Sequence, residues 1–160
     1  MYSGDMIASL MQLPAEPTIP GVRIVRALAV DRQRILQFIQ QNFGNGWRNE
    51  AEGTLACCPS TCVVAVRDGQ VIGFACWDAL AKGMFGPIGV SEAERGTGVG
   101  SALLLRAFRL MRDTGYAYAV IGWVEEAAPF YEKLVRATFI PGATPAHSIY
   151  QSLVSGPAGG

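Results

Sequence analysis

The chain has 160 residues, 50% hydrophobic and only 16% charged. That balance excludes a disordered chain, and the length allows one sizeable core without disulfides or a structural metal. The 13 basic and 13 acidic residues cancel, so no global field draws in nucleic acid or an anionic membrane, and any bound anion needs a local device.

No apolar run is long enough to span a bilayer, and the first residues lack the charged start and apolar middle of a secretion signal, so a cytoplasmic protein is expected. Cys57, Cys58, Cys62 and Cys76 are not at zinc-ligand spacing, and His147 is the single histidine. Reduced, mostly buried thiols and no metal site are expected. One histidine also argues against a Ser-His or Cys-His mechanism.

In chain order, residues 1–20 carry Pro14, Pro17 and Pro20 without a regular period and read as an N-terminal arm. The main domain is expected over 21–154, followed by a flexible tail, 155–160. Residues 22–28 alternate as a first strand. Asp31 caps a helix with an apolar face of Ile35, Leu36, Phe38 and Ile39, stopped by Gly44. The stretch from Gly44 to Arg48 reads as a loop carrying Trp47, and a short helix follows to about Ala56. Residues 62–67 and 70–77 form a hairpin around Asp68-Gly69. A strand at 84–90 holds Gly86, Pro87 and Gly89. Helical periodicity from Gly98 places Val99, Leu103, Ala107, Leu110 and Met111 on one face and ends at Gly115. A strand at 118–123, a helix at 126–135 and strands at 138–140 and 148–153 complete the chain, with His147 leading into the last strand. The order predicts an α/β (α+β) single domain. Its mixed sheet has about six to seven strands flanked by helices, antiparallel at the start and parallel in the middle.

The chemistry concentrates in Arg95-Gly96-Thr97-Gly98-Val99-Gly100-Ser101, between a strand and an amphipathic helix. A glycine-rich loop opening a helix presents free backbone N–H groups and a partial positive charge, and glycine lets a phosphate reach the backbone. The spacing misses the third glycine of a dinucleotide fingerprint, and no lysine follows as in a Walker loop. A glycine-rich turn without a ligand is the bland alternative. Pro87 inside the preceding strand implies a ladder that opens there. A parted strand running into an anion loop makes a slot with pyrophosphate at one end and main-chain hydrogen bonds at the other, a shape that suits coenzyme A.

With these residues the sequence resembles the GNAT superfamily of acyl-CoA-dependent N-acyltransferases. Arg95 to Gly100 matches the family's R/Q-x-x-G-x-G/A loop, and Phe130-Tyr131-Glu132-Lys133-Leu134 matches its F-Y-x-K-L helix, one helix and one strand later. The resemblance covers residues 22–153. It departs at Val124, where the family often has Asn, and at Leu134-Val135-Arg136-Ala137, which replaces Leu-Gly-Phe.

The resemblance implies a GNAT-like sheet splayed between the fourth and fifth expected strands, and acetyl-CoA as acyl donor with no metal. The donor would lie on Ile88, Gly89, Val90, Arg95, Gly96, Thr97, Gly98, Val99, Gly100, Ser101 and Phe130. It further implies direct attack by an amine, a backbone N–H near Ile88 or Val90 on the oxyanion, and Tyr131 as proton donor to the leaving thiolate. On helix position alone, Tyr131 reads as a core aromatic. The general base stays unassigned. Asp78 is its nearest candidate, while Glu50, Glu52, Glu92, Glu94, Glu125 and Glu126 read as solvated surface charges.

Phe43, Trp47, Trp77, Trp123 and Tyr150, with Asp78, are expected around the acceptor, although Trp47 reads equally as a lid over the core. An aromatic pocket with few carboxylates points to a small-molecule amine: an amino sugar, an amino acid or an aromatic amine. A protein or peptide N-terminus or lysine, and a non-catalytic acyl-CoA-binding module, stand as alternatives. Neither a nucleic-acid nor a membrane partner is expected, and the C-terminal strands are compatible with a homodimer, while the sequence leaves the oligomeric state open.

Overall fold

The computed structural model describes residues 4–147 and Val154. The expected strand at 148–153, which includes Tyr150, and the tail at 155–160 lie outside the described residues. Among the described residues, seven strands form one sheet in the order β2-β3-β4-β5-β6-β1-β7. These are β1 Gly4–Ser9, β2 Val22–Arg26, β3 Cys62–Arg67, β4 Gln70–Trp77, β5 Met84–Val90, β6 Tyr118–Val124 and β7 Thr138–Phe139. The helices are α1 Arg32–Phe43, α2 Asn45–Ala56, α3 Val99–Asp113 and α4 Ala128–Val135. The β5–β6 pair is parallel, and the other pairs are antiparallel.

The alternation of β3 divides the core in two. Val63 and Ala65 face α3 and α4, where Leu103, Leu104, Ala107, Phe108, Met111 and Val135 are buried. Cys62 and Val64 face α1 and α2, where Ile35, Leu36, Ile39, Ala51 and Leu55 are buried. A sheet covered on both faces explains why these strands read as nearly continuous apolar runs.

Several expectations are corrected. Part of the supposed arm, Gly4–Ser9, is a strand inserted between β6 and β7. Met6 and Leu10 are fully buried, a period-two signal that the downstream prolines obscured. Further along this stretch, residues 14–16 are tied to α3: Glu16 pairs with Arg106 at 3.0 Å and Arg109 at 2.8 Å, and Arg109 also donates to the Pro14 carbonyl. α2 starts at Asn45, so Trp47 lies in a first helical turn rather than a loop. His147 ends a short 3-10 turn, Pro145–His147, not a strand. Cys62 and Cys76 are buried opposite each other across β3 and β4, whereas Cys57 and Cys58 are exposed.

Candidate functional site

β5 pairs with β6 only at Met84–Val120 and Phe85–Ile121. Beyond Phe85 the two strands part, at Gly86-Pro87, as the proline predicted. The opening is a cleft of about 880 Å³ that passes between the two faces of the sheet. Trp47 and Glu50 reach it from α2 on one side; Gly100, Phe130 and Tyr131 reach it from α3 and α4 on the other.

At its mouth lies the glycine loop. Gly96 and Gly98 have φ of +78° and +93°, the left-handed region where a side chain is disfavoured. Thr97 Oγ1 donates to the Glu94 carbonyl at 2.6 Å and closes the turn. Val99 is packed into the core and anchors the helix start. Among the described residues, the backbone N–H groups of Gly96, Thr97, Gly98, Val99, Gly100 and Ser101 have no backbone acceptor; the α3 ladder starts with Ala102 N–H on the Gly98 carbonyl. Unpaired donors at a helix N-terminus are the geometry that an anion site requires.

Ile88, Gly89, Val90, Arg95, Gly100, Phe130 and Tyr131 therefore share one cleft, with the remainder of the loop adjoining it. Tyr131 is 6% exposed, and its hydroxyl has no hydrogen-bond partner among the described residues. It is not sealed in, since among the described residues the one fully enclosed side-chain oxygen without a partner is Thr61 Oγ1. Burial pushes the Tyr131 hydroxyl up to about 12, because the phenolate would lose its hydration.

The acceptor candidates divide. Trp47 and Trp123 line the cleft and remain partly exposed. Phe43 supports them from behind: its ring sits 5.1 Å from Trp47 and 5.7 Å from Phe74, centroid to centroid, and lies over Gly89. Trp77 is buried in the core, with the Arg26 guanidinium 5.6 Å from its ring. Asp78 does not line the cleft. Its carboxylate accepts from the Tyr116 hydroxyl at 2.9 Å and from the Gly83 N–H at 2.8 Å, holding a turn in which Asp78 has φ +55°.

Sequence reasoning missed two features. Among the described residues, Glu50, Glu125 and Glu126 line the cleft against Arg95 as its one lining cation, so the acceptor region is richer in carboxylate than expected. Glu50 is half-buried, and its carboxyl is raised above the usual range by loss of water. The second feature is a bulge. Gly4 pairs with Val124 and Met6 with Ile121, so Asp5 alone opposes Gly122 and Trp123. Asp5 Oδ1 accepts from the Trp123 N–H at 2.9 Å, and Trp123 takes φ +50°. Trp123 Nε1 then donates to Glu125 at 2.9 Å, which fixes the ring beside the cleft. A bulky residue in that conformation costs about 1 kcal/mol or more, strain of the kind kept at functional sites.

A second cleft of about 850 Å³ lies between α1 and β2–β4, over Val25, Val64 and Val71, with Arg23 and Arg34 beside it. It contains neither the glycine loop nor Tyr131, so the candidate chemistry belongs to the β5–β6 opening. No described helix is long and apolar enough to cross a membrane.

A family profile described as an acetyltransferase (GNAT) domain matches residues 58–134. No curated protein matches the sequence. Among solved structures, the fold is similar to a GCN5-related glucosamine N-acetyltransferase region of a fungal multi-domain β-N-acetylglucosaminidase. That match has a TM-score of 0.67 and 18% identity, covering 85% of this chain and 19% of that one. A GCN5-related N-acetyltransferase from Sphaerobacter thermophilus matches with a TM-score of 0.66 and 20% identity, over 82% of this chain and 46% of that one. A GNAT-family acetyltransferase from Brucella melitensis, solved with acetyl-CoA, matches with a TM-score of 0.51 and 23% identity, over 68% of this chain and 80% of that one. The chain thus spans less than half the length of the first two. The matched segment runs through the parted strands and the glycine loop to Leu134, and over it the chain is similar to a GNAT acetyltransferase domain.

Proposed function

We propose that this chain transfers an acetyl group from acetyl-CoA to the primary amine of a small molecule. The observation that carries the reading is the meeting, in one cleft, of the unpaired loop N–H groups, the unladdered edge of β5 and the buried, unpartnered Tyr131 hydroxyl. The Brucella relative solved with acetyl-CoA supports the donor, and the fungal region named for glucosamine supports an amine of sugar size.

Acetyl-CoA fits the residues present. Gly96 leaves its backbone open, with no atom within 4 Å of where a side chain would start. The N–H groups from Gly96 to Ser101 would hold the pyrophosphate, and the free side of β5 from Ile88 to Val90 would hold the amide-bearing arm. The bound donor supplies an activated thioester. Tyr131 Oη stands ready to donate to the departing sulfur. A hydroxyl at about 12 transfers its proton to a thiolate of conjugate pKa about 8.5 only uphill, by roughly 5 kcal/mol. Tyr131 therefore acts first as a hydrogen-bond donor to the growing negative charge and yields its proton late. Trp47 and Trp123, with the nearby carboxylates, suit a cationic amine through ring faces and charge.

The test is thiol release from acetyl-CoA in the presence of small amines, for the native chain and for Tyr131→Phe. The native chain should release thiol only with an acceptor. Tyr131→Phe should lower kcat by about 10²- to 10⁴-fold and leave acetyl-CoA affinity unchanged. No amine-dependent thiol release, or an undiminished Tyr131→Phe rate, contradicts the proposal.

A further inference from the structure

The cleft is entered from both faces of the sheet. A carrier whose pyrophosphate rests on the loop before α3 occupies the side of Gly100, Phe130 and Tyr131, so a nucleophile must approach from the side of α2. α2 presents Trp47 and Glu50 there, three residues apart on one helical face. The neighbouring carboxylate, Glu52, is engaged elsewhere, 3.1 Å from Arg32 and 3.9 Å from Arg48. The Glu50 carboxylate has no hydrogen bond or ion pair among the described residues, although the residue is half-buried. A partly desolvated carboxylate without a partner is costly, and a bound ammonium would relieve that cost. A second polar group of the cleft that is buried without a partner among the described residues, the Tyr131 hydroxyl, is 6% exposed and independently marks the opening as a place where a ligand completes the hydrogen bonding.

We infer that Glu50 takes the proton that the acceptor nitrogen loses as it is acylated; the assignment rests on the acetyl-transfer reading above. The acceptor arrives as R–NH₃⁺ and gives one proton to a Glu50 carboxylate oxygen. The freed lone pair forms the N–C bond to the acyl carbon, the C–S bond breaks, and the sulfur leaves with the Tyr131 proton. The protonated amide nitrogen loses its second proton through water, which restores Tyr131, and Glu50 returns its own proton to solvent. The net products are R–NH–acetyl, the free thiol and one proton.

The titratable and charged groups around Glu50 are Arg95 from the loop before α3, Glu125 and Glu126 from the turn before α4, and Tyr131 from α4. Arg48 and Glu52 lie on α2 itself, Arg32 on α1, and β4 contributes Cys76 beneath Thr54. Glu125 is held by Trp123. β5 carries no titratable side chain. Among these, Glu50 combines the acceptor-side position with the absence of a partner.

The experiment is the pH dependence of kcat/KM for the full chain and for Glu50→Gln, Glu50→Asp and Glu52→Gln. Glucosamine, L-lysine, tyramine and 1,4-diaminobutane serve as acceptors, and acetyl-CoA affinity is measured in parallel by calorimetry. The native profile should rise through a carboxyl pKa above the usual glutamate value and then level off, because the base works only when ionised. Glu50→Gln should fall by about 10²- to 10⁴-fold near neutral pH. It should also lose the plateau and climb about tenfold per pH unit toward the amine's own pKa. Glu50→Asp should regain part of the plateau, and acetyl-CoA affinity should stay within about twofold in every variant. An unchanged Glu50→Gln profile, or an equal loss in Glu52→Gln, overturns the inference alone. Absence of acetyl-CoA binding, or of turnover with all four amines, overturns the transfer reading and the inference with it.

Discussion

Gly89→Ala probes how the acceptor side of the cleft is held together. A Cβ at Gly89 would lie 2.5, 2.7 and 2.8 Å from three atoms of the Phe43 ring, closer than real contacts allow. The ring cannot swing freely, because Phe38, Trp47 and Phe74 surround it with centroids at 5.9, 5.1 and 5.7 Å. Overpacking of this kind costs about 1–3 kcal/mol, or a fall in Tm of about 2–12 °C for a chain of this size. Displacing Phe43 also moves Trp47, so KM for the acceptor should rise several-fold while acetyl-CoA affinity changes little. A double-mutant cycle isolates the clash: Phe43→Leu costs stability by itself, but in the Gly89→Ala background it frees the space. The double variant should be more stable than the sum of the single losses by about 1 kcal/mol or more. Denaturant unfolding at fixed pH measures all four corners. Additive losses, or a Gly89→Ala variant as stable as the native chain, would refute the packing argument.

Two further outcomes follow from the site. Tyr131 ionises near 10 in the unfolded chain and at about 12 when folded, so folding favours its neutral form. Stability is therefore complete below pH about 10 and declines by about 3 kcal/mol in all as the pH rises toward about 12. Tyr131→Phe should lack this part of the alkaline loss in unfolding titrations, and equal losses in both proteins would contradict it. Asp5→Ala removes the acceptor for the Trp123 N–H and should cost about 1–2 kcal/mol. It should also alter tryptophan emission and raise acceptor KM. Unchanged emission and KM would show that β1 does not set the Trp123 bulge.

The legible parts of the fold were those written in local chemistry. Asp68-Gly69 fixes the β3–β4 hairpin through turn geometry, and Val99, Leu103, Ala107 and Met111 fix α3 through their period. The loop at Gly96–Gly98 and the parting at Pro87 were likewise readable, because glycine and proline act on their own backbone. β1 was hidden because its partner, β6, lies far along the chain and nothing local specifies that pairing. The start of α2 was hidden because Asn45 and Gly46 are poor helix formers, a preference overridden by Trp47 packing on Phe43 and Phe74. That error concealed the site too. With the helix begun at Asn45, Glu50 falls one turn beyond Trp47 and shares its face, whereas in a loop its direction was undefined. Asp78 drew attention as a carboxylate at a strand end, but its left-handed turn directs it to Gly83 and Tyr116.

The account stands on the loop before α3 as the grip for acetyl-CoA. Titration calorimetry of acetyl-CoA into the native chain and into Gly98→Ala tests it most directly. Gly98 holds φ +93°, and a Cβ there would also come 3.0 Å from Ile19, so alanine must shift the loop. Misplacing even one N–H from a charged phosphate costs about 1.5–3 kcal/mol, or about 10- to 150-fold in Kd. The account predicts one-to-one binding by the native chain and that much weakening in the variant. No heat with the native chain, or equal affinity in both, would contradict it.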